Sequence, residues 1–370
     1  MTSSTPAISS LRATREKGRW EFLDATRGIA AFVVICQHGL ERFYSFGLPW
    51  TVKHFNFGLA GVFAFFLVSG FIIPTSIERY NSISRFWMGR LFRLFPLYLA
   101  SLIVILVLGY SRVVILPPAF YLHPVRSVLT NLTMMQEFLG SPSAIGVYWT
   151  LAYEMLFYIL CSILFVAGIL KKSTLWAWIA TGVFLFSNLC CALLFHRALS
   201  AAKAAFIVTA FIGTLFFRNF SGKVTSRTLY SLTPFVLLAF GVSFWLRFSI
   251  YPQASDPNQF TFQSEILAFI LGYSLFCVAF VLRDHEVPKP LIWLGRISYS
   301  VYLVHTLVLP AVGHYLSGTV GIITFFAATL CVSEVTYRFI EAPFVSFQHK
   351  ILQQQPTTAK GAKAAPLVPN

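Results

Sequence analysis

The run RGIAAFVVICQH, residues 27–38, sets an Arg and a His at the two ends of an otherwise mostly apolar stretch. A guanidinium is a permanent cation that forks onto phosphate or carboxylate oxygens. An imidazole is the usual general base near neutral pH. On an α-helix, eleven positions turn through about 1100°, roughly 20° past three full turns. Arg27 and His38 therefore share a face, about 16 Å apart along the axis. Asp24 lies one turn before Arg27, within pairing reach. Taken singly, each has a plain reading: the Arg snorkels to lipid headgroups, and the His makes one buried hydrogen bond. Two on one stripe favour a polar shaft, because charge inside a bilayer is costly and usually lines a pathway.

Five more stretches carry polar groups into apolar surroundings. GVFAFFLVSGFII (61–73) ends on the small pair Ser69-Gly70, suited to close helix approach. RFWMGRLFRLFPLY (85–98) sets Arg90 and Arg93 one turn apart, a spacing that suits phosphate. Arg79 and Arg85 read as ordinary cationic charge at a helix end. WTLAYEMLFY (149–158) buries Glu154, flanked by Trp149 and Tyr158. LGRISYSVYLVH (294–305) carries Ser298, Tyr299, Ser300, Tyr302 and His305. In YRFIEAP (337–343), Arg338 and Glu341 stand at i,i+3 and read as a structural ion pair. No metal constellation is expected, because the eight His are scattered. The six Cys lack metal-ligand spacing and read as small buried hydrophobes rather than a disulfide framework. No Ser sits in a G-x-S-x-G elbow.

The elements holding these residues are membrane spans. The chain is 57% hydrophobic and 11% charged, under half the usual charged fraction of about 25%. Its net charge of +15 comes from short basic clusters between apolar runs, not from a nucleic-acid face. At about 20 apolar residues per span, ten are expected, near 22–41, 57–77, 94–111, 150–170, 175–195, 203–217, 228–247, 262–282, 294–313 and 319–341. With the N-terminus inside, the inner segments hold nineteen Lys and Arg and the outer loops seven. That split supports ten spans with both termini cytoplasmic. Residues 112–149 are too polar to span and form a loop with an interfacial helix near 123–139. The fold class is thus all-α and polytopic. It divides into a cytoplasmic segment at 1–21, a membrane domain at 22–345 and a disordered cytoplasmic tail at 346–370. Neither an internal repeat nor a cleavable signal peptide is visible.

These six stretches, in this order, resemble the acyltransferase-3 family of integral membrane O-acyltransferases, which decorate bacterial glycans and some small molecules. The resemblance runs from about Phe22 to Phe344. It rests on Arg27 and His38, the Phe-Phe…Ser-Gly-Phe run, the paired Arg before Pro-Leu-Tyr, W-T-L-x-x-E, G-x-I-S-Y-S-x-Y-L-x-H and the final E-x-P. It implies acyl transfer from cytoplasmic acyl-CoA, with acetyl-CoA the family default, to an acceptor hydroxyl at the outer side of a bacterial inner membrane. It also implies that Arg27 and His38 are the essential pair. One departure concerns His305: the family's His is often followed closely by Pro, and here Pro310 stands five residues on. Some members append an esterase-like domain beyond an eleventh span, and any such partner is expected to be a separate protein here.

The chemistry asks for a base, a stabilised oxyanion and a held carrier. His38 is the candidate base or transient acyl carrier, with Arg27 to steady the CoA end or the oxyanion and Glu154 to orient His38 or bind an acceptor hydroxyl. Arg90 and Arg93 are the candidates for CoA phosphates, and Trp149, Tyr158 and His305 for the acceptor. The expected function is O-acylation of a carbohydrate or related hydroxyl. The rival is an exporter of a lipid-linked glycan or anionic solute, since intramembrane Arg, His and Glu also line transport paths. The missing internal repeat argues against it.

Overall fold

The computed structural model of the chain describes residues 20–197, 201–251 and 260–354, and everything regular among them is helical. In chain order the helices are α1 (Glu21–Phe43), α2 (Gly47–Lys53), α3 (Phe57–Tyr80), α4 (Ile83–Tyr110), α5 (Ala119–Leu122), α6 (Pro124–Leu132), α7 (Tyr148–Val166) and α8 (Ser173–Phe195). They continue as α9 (Ala201–Phe220), α10 (Ser226–Trp245), α11 (Phe262–Val281), α12 (Lys289–Arg296), α13 (Ser298–Tyr315), α14 (Gly318–Thr336) and α15 (Ala342–Gln354). Wider π-helical turns extend α10 at Leu246–Ile250 and join α14 to α15 at Tyr337–Glu341. Helices suit apolar segments because each backbone group finds its partner within the segment, as a bilayer requires.

Helices occupy all ten intervals where spans are expected, yet they are unequal. Seven are long and apolar enough to cross a membrane: α3, α4, α7, α8, α10, α11 and the continuous α14–α15 rod. An eighth is counted if α12 and α13, bent by 66° at Ile297, are one broken span. The apolar part of α9 is short, Ala205–Phe220. At 23 residues α1 is long enough, but it carries Glu21, Asp24, Arg27, Glu41 and Arg42. Of the helix expected near 123–139 only Pro124–Leu132 forms, as α6, and Asn131 ties α6 to the following loop through Pro142 O and Ala144 N. All six cysteines are free thiols.

The centre of the bundle is α3, whose apolar stretch is 72% buried, against 33% for α4 and 22% for α8. It packs against α1, α9 and α11. Small residues set these crossings. A Cβ on Gly70 would overlap the Ala210 carbonyl of α9, and one on Gly213 would overlap the Leu67 carbonyl of α3. At the far end of the same pair, the Arg218 guanidinium makes a two-pronged ion pair with Glu78 and donates to Ser173 Oγ at 2.9 Å. On the other side of α1, Gly295 lies hard against the Asp24 backbone, which seats α12 on the first turns of α1.

Two expectations need correction. Arg338 and Glu341 do not pair: Arg338 bonds Glu334, while Glu341 accepts from Ser300 Oγ and is 5% exposed. The wide turn at Tyr337–Glu341 rotates an i,i+3 pair off a common face. The tail expected from residue 346 begins inside α15, which runs to Gln354. Residues 355–370 of that tail, and 1–19 of the N-terminal segment, lie outside the described residues.

Candidate active site

Five helices close around one cavity of about 90 Å³, several times the 10–15 Å³ or so that one water needs. Arg27 reaches it from α1, Ser69 and Ile72 from α3, and Arg90 and Arg93 from α4. Thr150, Glu154 and Tyr158 come from α7, and Ser298, Tyr299 and Tyr302 from α13. Helical periodicity explains the grouping. Arg90 and Arg93 are one turn apart, as are Thr150, Glu154 and Tyr158, so each set points one way.

Charge converges here. Arg27 and Arg93 interact electrostatically with each other and with Glu154 and Glu341, and Asp24 also acts on Arg27. Arg90 is 3% exposed. Its Nη2 donates to Ser76 Oγ at 3.3 Å, its guanidinium lies over the Phe86 ring, and its Nε has no partner. A buried guanidinium nitrogen left bare is costly, and it fits a site that receives an anion or a carbonyl. Glu154 Oε1 accepts from Tyr158 OH at 2.6 Å and from Ser69 Oγ at 3.0 Å. The far wall is held by Tyr299, which donates to Leu94 O at 2.8 Å, and by Tyr302, bonded to Thr150 at 2.7 Å.

The histidines stand apart from this group. His38 and His305 stack on each other, ring centres 5.2 Å apart and planes 21° apart. The Tyr302 ring is 6.1 Å from that of His305, so a cavity wall residue touches the pair edge-on. His305 is fully buried; its Nδ1 faces Val301 O at 3.0 Å and its Nε2 has no partner. His38 is one-third exposed and pairs through Nδ1 with Glu41 Oε2 at 3.5 Å. Glu154 is not its carboxylate partner.

Of the residues singled out from sequence, Arg27, Arg90, Arg93, Glu154 and Tyr158 meet in the cavity. His38 and His305 meet each other beside it. Trp149 turns away, packed between Phe206 and the Lys203 ammonium. Thr150 and Tyr302 have no role legible from sequence, and Ser69, read as a close-packing residue, also bonds Glu154. Glu41 was missed outright, and its only signal was the i,i+3 spacing from His38.

The family model described as an acyltransferase domain matches residues 20–338. The chain belongs to the acyltransferase-3 family. Among curated relatives, it is 25% identical to a Staphylococcus aureus (strain COL) protein provisionally named an O-acetyltransferase, over 90% of this chain and 59% of that one. It is likewise 25% identical to the peptidoglycan O-acetyltransferase OatA of Listeria monocytogenes, over 87% of this chain and 55% of that one. A shorter relative from Acidianus two-tailed virus, provisionally named an acetyltransferase, is 24% identical over 75% of this chain and 78% of its own length. The chain thus spans under three-fifths of the length of the two bacterial relatives. No solved structure matches it. The family assignment covers every element that lines the cavity, from α1 to α13.

Proposed function

We propose that this chain is a multi-pass O-acyltransferase of a bacterial cytoplasmic membrane, crossing it ten times with both termini inside. It moves an acetyl group from cytoplasmic acetyl-CoA to a hydroxyl of a carbohydrate or related acceptor. The observation that carries the reading is the single cavity where Arg27, Arg90, Arg93 and Glu154 meet, one tyrosine away from the stacked His38 and His305. The arginines suit the phosphates and thioester carbonyl of an acyl-CoA. Family membership and relatives named as acetyltransferases support acyl transfer over export.

In the reaction, His38 takes the proton of the acceptor hydroxyl as its oxygen bonds to the thioester carbonyl carbon. Arg27, about 16 Å from His38 along the helix, steadies the CoA end of the donor in the cavity. The carbon–sulfur bond then breaks, and the thiolate takes the proton from the imidazolium. The products are the acetyl ester and free CoA thiol. Glu154, already bonded to Ser69 and Tyr158, keeps the cavity wall polar and ordered.

The test is thiol release from acetyl-CoA by the detergent-purified full chain with a panel of glycan acceptors. His38→Ala lowers acceptor-dependent release by at least 100-fold, the usual scale of a general base. Equal release from both proteins removes His38 from the chemistry. Failure of the wild type to bind acetyl-CoA at all overturns the acyl-CoA reading in favour of transport.

A further inference from the structure

We infer that Glu41 and Thr51 are positioning residues that hold the His38 imidazole in its working orientation. The inference rests on the reading of His38 as the base.

The geometry runs outward from the ring. Glu41 Oε2 lies 3.5 Å from His38 Nδ1, one turn along the same helix. That separation is long for a hydrogen bond, and such bonds often tighten only when substrate is bound. A carboxylate at Nδ1 keeps the proton there and leaves the Nε2 lone pair facing the substrate, the logic of an oriented base. The other carboxylate oxygen, Glu41 Oε1, accepts from Thr51 Oγ1 at 2.8 Å. Glu41 therefore cannot swing away without breaking that bond.

Thr51 is itself fixed. It is fully buried in α2, and its carbonyl accepts from Ser264 Oγ of α11 at 2.6 Å. Next to it, Thr261 N donates to Val52 O at 2.9 Å. Gly47 opens α2 so close to the Leu40 carbonyl that any Cβ would overlap it. A short helix pinned from both sides thus delivers one hydroxyl to one carboxylate. The ring's face is covered by His305 from α13. Among the described residues, Glu41 and His305 are the titratable groups in contact with the imidazole.

The test uses the purified full chain and diethyl pyrocarbonate, which modifies neutral imidazoles. Labelling of His38 is followed by mass spectrometry at a single pH, which needs no acceptor. With Glu41→Gln the ring is no longer held, so its labelling rate changes about threefold or more. Thr51→Val shifts the rate the same way by less, and Thr51→Ser, which keeps the hydroxyl, restores the wild-type rate. In thiol release, Glu41→Gln lowers kcat about tenfold or more and leaves KM for acetyl-CoA within about twofold. Wild-type labelling rates in both Glu41→Gln and Thr51→Val overturn the inference. Unchanged thiol release in His38→Ala overturns the functional reading instead, whatever the labelling shows.

Discussion

At the scale of single residues, the charged side chains gather in the cavity while the two histidines stack beside it. Arg90 is the clearest case. Its Nε is buried without a partner while Nη2 holds Ser76, and the residue lines the cavity. Arg90→Lys keeps the charge but loses the fork. It raises KM for acetyl-CoA about tenfold and leaves kcat within about threefold, as steady-state kinetics will show. Glu154→Gln weakens the acceptor for Tyr158 and Ser69 and lowers kcat about tenfold, measured in the same assay. These residues were legible in sequence because a charge within an apolar run needs a reason. The partners were less legible. His38 meets His305 across most of the chain length, and no local spacing encodes that contact. Arg338 and Glu341 misled because i,i+3 pairing presumes α-helical pitch, which the Tyr337–Glu341 turn abandons.

At the scale of elements, the site depends on how closely two helix pairs approach. Gly295 sits against the Asp24 backbone, three residues before Arg27. Gly295→Ala pushes α12 off α1 and costs about 1–3 kcal/mol, the range for overpacking. It lowers both the unfolding temperature in detergent and the affinity for acetyl-CoA, because α1, which carries Arg27, loses the helix packed on its first turns. The pairing of α3 with α9 ends in the buried Glu78–Arg218 ion pair. Arg218→Ala leaves that carboxylate only the exposed Lys223 ammonium at 4.0 Å and costs about 3 kcal/mol. Thermal unfolding checks it, and adding Glu78→Gln to that variant recovers part of the loss. Ser69-Gly70 was readable as a close-packing signal. Its partner Gly213 was not, since an apolar helix shows its small residues without showing which neighbour they meet.

At the scale of the whole molecule, hydropathy marked every interval that folds as a long helix, because a bilayer-spanning segment must satisfy its own backbone. What it could not mark was the break at Ile297 or the continuation of α14 into α15. Both depend on packing against other helices. The proposed topology makes a direct prediction: a fluorescent reporter fused after Asn370 glows in the cytoplasm, and an alkaline phosphatase there stays inactive. The cavity also has a history in time. Its first wall residue is Arg27 and its last is Tyr302. Translation at about 5–20 residues per second puts tens of seconds between them. A partly made chain, already in the membrane with its arginines in place, has no α13 and so neither Tyr302 nor His305. On the proposed function, growing chains therefore carry no assembled centre that would squander thioester on water before synthesis is nearly done.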